Sequence, residues 1–222
     1  MLEGDSLGIA REALVDVSAA IAARDEEQLR RALTLARRFA DAASVDEVLL
    51  QAHLFVGFPI VVEAFVRWRG IAPLATIADE DAGVQESWAS RGTAVCRAVY
   101  GARYEQLRVN VNALHPSLER WMVEHGYGRV IGRSALDLAT RELCIVALLA
   151  VWDAPRQLRS HLHGALNAGA TRLEVEAALD VAWRYMRPGS FDRARAVWET
   201  MNGPDRSISA AEAMGQAHAG GK

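Results

Sequence analysis

The stretch RELCIVALLAVWDAPRQLRSHLHGALNAGA, residues 141–170, restricts the possible folds more than any other part of this chain. Its apolar residues recur at helical spacing on both sides of Asp153-Ala154-Pro155, so it reads as two apolar helices with a break between them. Pro155 fits the first turn of the second helix, where a missing N–H is no loss. A carboxylate at Glu142 and an imidazole at His161 are unfavourable to bury in so apolar a hairpin unless something satisfies them. Either the two partner each other or at least one works on a ligand.

Helical periodicity dominates the rest of the 222 residues, and no convincing alternating strand appears. The pattern predicts an all-α chain with helices near 8–24, 26–41, 46–68, 85–100, 103–113, 116–125, 138–152, 156–168, 172–186 and 190–201. Glu142 falls in what reads as a first helical turn, where a carboxylate favours the helix dipole. Gly169 marks a helix end, and Thr171 with Glu174 forms a capping box for the next helix. Residues 69–84 lack periodicity and read as a connector, and the stretch from Asn202 onward reads as a flexible tail.

Several function classes are set aside by composition. The net charge of −3 offers no nucleic-acid footprint and no polybasic membrane patch. The longest apolar run, Cys144 to Trp152, is too short to span a bilayer. The opening MLEGDSLGIA reads without a secretion signal, and two cysteines with no Cys-x-x-Cys suggest no disulfide framework, so a cytoplasmic location is expected. Phosphate loops, serine-nucleophile motifs and metal-ligand spacings are missing. His161 and His163, two apart on one helix, cannot share an ion, so no metal and no cofactor are expected. His163 points away from His161 and reads as a surface residue, while Cys96 and Cys144 read as small packing hydrophobes.

A weak internal repeat is also visible. Arg11-Glu12-Ala13-Leu14 resembles Arg141-Glu142-Leu143-Cys144 at an offset of 130, and each is followed by a Gln-Leu-Arg helix. Each copy then reaches an expected capping box, Ser44…Glu47 and Thr171…Glu174. This suggests a pseudo-symmetric bundle with a degenerate copy in 1–84, a working copy in 85–202 and a tail in 203–222. The first copy has no histidine before His53, so only the second can hold the Glu142/His161 arrangement.

The stretch RVIGRSALDLATRELCIVALLAVWDAPRQLRSHLHGALNAGATRLEVEAAL, 129–179, resembles the core of the carboxymuconolactone decarboxylase family, which includes alkylhydroperoxidase D. The resemblance continues through RGTAVCRAVYGARYEQL (91–107) and VDEVLLQAHLFVGFPIVVEAF (45–65). It implies an alkylhydroperoxidase D-like helical bundle and homo-oligomers, with a trimer of two-copy chains favoured. Glu142 stands at the family's proton-relay glutamate and His161 at its histidine, with Ala165 four residues on. The peroxidase's redox cysteines would stand at 154 and 157, where this chain has Ala154 and Gln157, so a disulfide peroxidase lacks its thiolate and its resolving partner.

These residues suggest a cofactor-free lyase or isomerase acting on a small unsaturated carboxylate or lactone. Glu142 and His161 are the expected catalytic pair, Arg133 the expected carboxylate anchor, and Tyr127, His53 and Phe55 further substrate-binding residues. The first copy would contribute a wall from Phe55, Gly57 and Phe58. An antioxidant peroxidase and a non-catalytic oligomeric helical protein are the alternatives.

Overall fold

The computed structural model describes residues 7–72 and 87–201, and these contain helices and no strand. The proposed tail, and the connector beyond Ala72, lie outside the described residues, as does the 84/85 boundary between the two copies.

The first hairpin is α1 (Ile9–Ala23) and α2 (Glu26–Phe39), followed by α3 (Ala42–Val56) and α4 (Phe58–Ile71). After residue 86 come α5 (Ser87–Tyr100), a 3₁₀ turn (Gly101–Arg103), α6 (Tyr104–Leu114) and α7 (Pro116–Trp121). The chain then continues as a π-helix (Met122–Ile131). The second hairpin is α8 (Leu138–Trp152) and α9 (Pro155–Asn167), followed by α10 (Arg172–Trp183) and α11 (Ser190–Thr200).

The core sits where the hairpins meet. Helix α1 lies along α8, and the Ser18 hydroxyl donates to the Cys144 carbonyl at 2.7 Å across that seam. Helix α8 is buried from Thr140 to Ala150 and apolar on every face from Leu143 onward, as expected of a helix covered on every side. It is flanked by α1, α3, α9 and α10.

The two hairpins share one offset in the backbone, a residue shorter than the Arg-Glu match suggests. α1 and α8 end on the left-handed residues Arg24 (φ 57°) and Asp153 (φ 60°), 129 positions apart. Gln28 and Gln157 share that offset, so Glu142 corresponds to Ala13, not Glu12, and His161 to Ala32. Both alanines are buried. At those two positions the first hairpin carries buried methyl groups, and the second a carboxylate and an imidazole.

Other expectations are revised. The single helix over 46–68 is two helices, because Gly57 takes φ 83°, a value strained for any residue with a Cβ, and Pro59 restarts the chain as helix. The capping box at Ser44…Glu47 is absent: Asp41 is the N-cap, accepting from the Ser44 amide at 2.9 Å, and Glu47 turns inward. The box at Thr171 and Glu174 is present in full. The helix over 116–125 narrows to α7 before widening into the π-helix, where the Gly132 amide reaches back five residues to the Tyr127 carbonyl at 2.8 Å. That π-helix presses against α5 at two glycines: a Cβ on Gly92 would overlap the Val123 carbonyl, and one on Gly128 the Trp88 carbonyl. Helix α10 ends at Trp183, short of the expected 186.

Candidate active site

Asp137 caps α8, accepting from the Thr140 amide at 2.9 Å and from its hydroxyl at 2.7 Å. The helix therefore begins at Leu138 and Glu142 lies in its second turn, not the first. A helix-dipole role does not account for it there, since that effect fades within the first turn. Its side chain is fully buried. On α9, His161 directs Nδ1–H at Glu142 Oε2 over 2.8 Å. The small exposure the pair retains belongs to the imidazole, at 7% of its side chain.

The two helices approach this closely because of Gly164, one turn after His161. A Cβ there would stand 2.6 Å from Glu142 Oε2 and 2.8 Å from Val99 Cγ1 of α5. Helix α5 is tied to the same place by Asn167, whose amide donates to the Val99 carbonyl at 2.8 Å. The second oxygen, Glu142 Oε1, is buried and has no hydrogen-bond partner among the described residues. A carboxylate oxygen left so is costly, roughly 1–3 kcal/mol, and marks a place where a water or ligand donor would bind.

The surrounding walls come from helices on both sides of residues 73–86. Phe55 of α3 meets the His161 ring edge-on, with centroids 5.6 Å apart. Tyr127 of the π-helix and Tyr100 of α5 join hydroxyl to hydroxyl at 2.6 Å. Burial pushes both phenols upward, and the Glu142 charge adds to the effect, so both stay neutral donors. His53 and His125 face each other, Nε2 to Nε2, at 3.1 Å. Burial, then His53 and Arg129, hold the His125 imidazole below the usual histidine range.

Arg133 is engaged elsewhere. Its Nε donates to both oxygens of Glu47, at 2.9 and 3.1 Å, while Arg141 NH2 takes Oε2 at 2.7 Å and the Arg133 carbonyl at 3.1 Å. Gln51 completes this buried knot with reciprocal bonds of 3.3 Å to Arg141. Glu47, read from sequence as a cap, is the counter-ion that lets two arginines enter the core.

His163 is half-buried rather than on the surface. It lines a cavity of about 250 Å³ with Tyr100, Arg103, Ser160 and Asn167. Both thiols are buried, and burial pushes Cys96 and Cys144 up to about 12, so neither is a thiolate at neutral pH. Sequence reasoning missed Tyr100, Gly164 and the facing of His125 on His53. Of these only Gly164 had a local signal, a glycine one turn from the histidine on the same helix.

Residues 116–200, which contain Glu142, His161, Tyr127 and Arg133, match the profile of the carboxymuconolactone decarboxylase family. This segment is similar to that family. The strand-free bundle around it agrees with the fold expected of carboxymuconolactone decarboxylase and alkylhydroperoxidase D-like proteins. The chain is also 27% identical over 143 residues, 61% of its length, to Peroxisomal protein 2 of Schizosaccharomyces pombe. It is 36% identical over 74 residues, 33% of its length, to Peroxisomal protein 2 of Saccharomyces cerevisiae. The matched stretches span 65% and 26% of those two proteins. No helix among the described residues is long and apolar enough to cross a membrane.

Proposed function

We propose that the chain is a cofactor-free acid–base enzyme, a lyase or isomerase acting on a small unsaturated carboxylate or lactone. The observation that carries this reading is the buried 2.8 Å contact between Glu142 and His161. A carboxylate that accepts from Nδ1–H fixes the tautomer and leaves the lone pair on Nε2, the nitrogen free to move a proton. In decarboxylation of an unsaturated lactone acid, the bond to the carboxylate breaks and its electron pair enters the conjugated carbonyl as a dienolate. CO₂ leaves, and Nε2, which first takes a proton from solvent water, delivers it to carbon and returns to its neutral form. His161 is the proton donor, Glu142 its positioning residue, and Phe55 and Tyr127 the apolar and phenolic walls that exclude water. We assign Arg133 to the framework because Glu47 holds its guanidinium.

A thiol peroxidase is disfavoured by Ala154 and Gln157 in place of cysteines and by the raised, buried Cys96 and Cys144. For location, the cytoplasm follows from the cysteine usage, and the names of the two relatives add the peroxisome, which imaging of a tagged chain would separate.

The test is turnover of a panel of carboxylated unsaturated lactones, followed by loss of conjugated absorbance. His161→Ala should lower the rate on a turned-over substrate by about 10²–10⁴-fold, the usual contribution of a positioned acid or base. Full turnover by that variant would overturn the assignment.

A further inference from the structure

The histidine pair outside the proton-transfer centre has geometry that neither burial nor the reaction explains. His53 sits on α3 and His125 on the π-helix, 72 positions apart, and their Nε2 atoms stand 3.1 Å from each other. His53 Nδ1–H donates to the Leu50 carbonyl, which leaves Nε2 as a bare lone pair directed at His125. Each ring is half-buried, and His53 also rests on the Phe58 ring at 4.9 Å between centroids.

We propose that His53 and His125 form a two-nitrogen site for a divalent transition-metal ion. Imidazole–metal bonds of about 2.0–2.1 Å at tetrahedral or octahedral angles set two ligand nitrogens about 2.9–3.4 Å apart, and the observed separation lies inside that span. The bond from Nδ1 to a backbone carbonyl is the outer contact that orients metal-ligating imidazoles. Without an ion, His125 Nε2–H donates to His53. Binding moves that proton to His125 Nδ1, so both rings stay neutral and both lone pairs face the metal. Among the described residues no third His, Cys, Asp or Glu joins them, so water or a ligand fills the other positions. Arg129 stands near enough to His125 to oppose a cation held by charge alone. Two neutral nitrogens with no carboxylate therefore select Cu²⁺, Ni²⁺ or Zn²⁺ over Mg²⁺ or Ca²⁺. The absence of a metal motif in the sequence does not bear on this site, since its ligands share neither an element nor a spacing.

The experiment titrates Cu²⁺ into the full chain and reads affinity by calorimetry and nitrogen coupling by electron paramagnetic resonance. One equivalent should bind with coupling from two imidazole nitrogens. His53→Asn retains a donor for Leu50 while removing Nε2, and His125→Gln removes the opposite ligand. Each should weaken binding at least tenfold and abolish the two-nitrogen pattern, and the double variant should be little worse than either. First-equivalent binding that survives both substitutions would overturn the proposal and leave the pair as a hydrogen bond. The wild-type spectrum decides the matter even if a variant fails to fold: one coupled nitrogen, or none, also overturns it.

Discussion

Gly164 is the residue on which the Glu142–His161 contact depends most. Its missing Cβ is the space that the carboxylate and Val99 occupy, so Gly164→Ala must push α9 from α8 or rotate Glu142 off the imidazole. Overpacking of this kind costs roughly 1–3 kcal/mol. The expected result is a lower urea midpoint together with lost turnover, and an unchanged midpoint would mean that the helices yield freely. At this scale the sequence was legible where chemistry conflicted with its surroundings. Glu142 and His161 stand out because a charge and an imidazole interrupt an apolar hairpin. Tyr100 and His125 do not stand out, since each gains its meaning from a partner on another element that no local pattern names. The counter-ion of Arg133 is hidden for the same reason, Glu47 lying 86 residues away.

Helix boundaries decide where side chains fall, and here caps and glycines set them. Apolar periodicity runs across Gly57 and hides the break between α3 and α4, although Gly-Phe-Pro is the signal for it. The π-helix was illegible because its i→i+5 bonds follow no 3.6-residue rule and depend on α5 lying against it. Asp137 offers a test of the α8 start. Burial pushes its carboxyl up, but the Thr140 hydroxyl and amide and the Arg11 charge outweigh this and hold it below the usual aspartate range. A depressed carboxylate contributes stability above its unfolded pKa and loses it as pH falls through the folded one. Wild-type stability should therefore decline below about pH 4 more steeply than that of Asp137→Asn, which keeps the cap without the titration. Equal slopes in acid unfolding would remove Asp137 from that role.

Across the whole molecule, the two hairpins share an offset of 129, with Ala13 and Ala32 in the first where the second has Glu142 and His161. The Arg-Glu match at an offset of 130 lies one residue away from the offset of 129 that the helix ends share. Helix α4 leaves Phe58, Val62 and Val66 at 67%, 52% and 63% exposure along one stripe, i, i+4 and i+8. Such a face calls for a partner, and a trimer of 24.2 kDa chains is the expected assembly. Light scattering of dilute protein checks it: a persistent monomer refutes association, and a dimer rejects only the trimer. The claim on which the proposed function rests is that Glu142 holds the one proton-transferring imidazole in its Nδ1–H form. Nitrogen NMR of ¹⁵N-histidine-labelled protein tests this directly, with His161→Gln assigning the resonance. The predicted spectrum of neutral His161 shows a protonated Nδ1 and a bare Nε2, with the Nδ1 signal displaced in Glu142→Gln. A protonated Nε2, or an Nδ1 signal indifferent to Glu142→Gln, would contradict it.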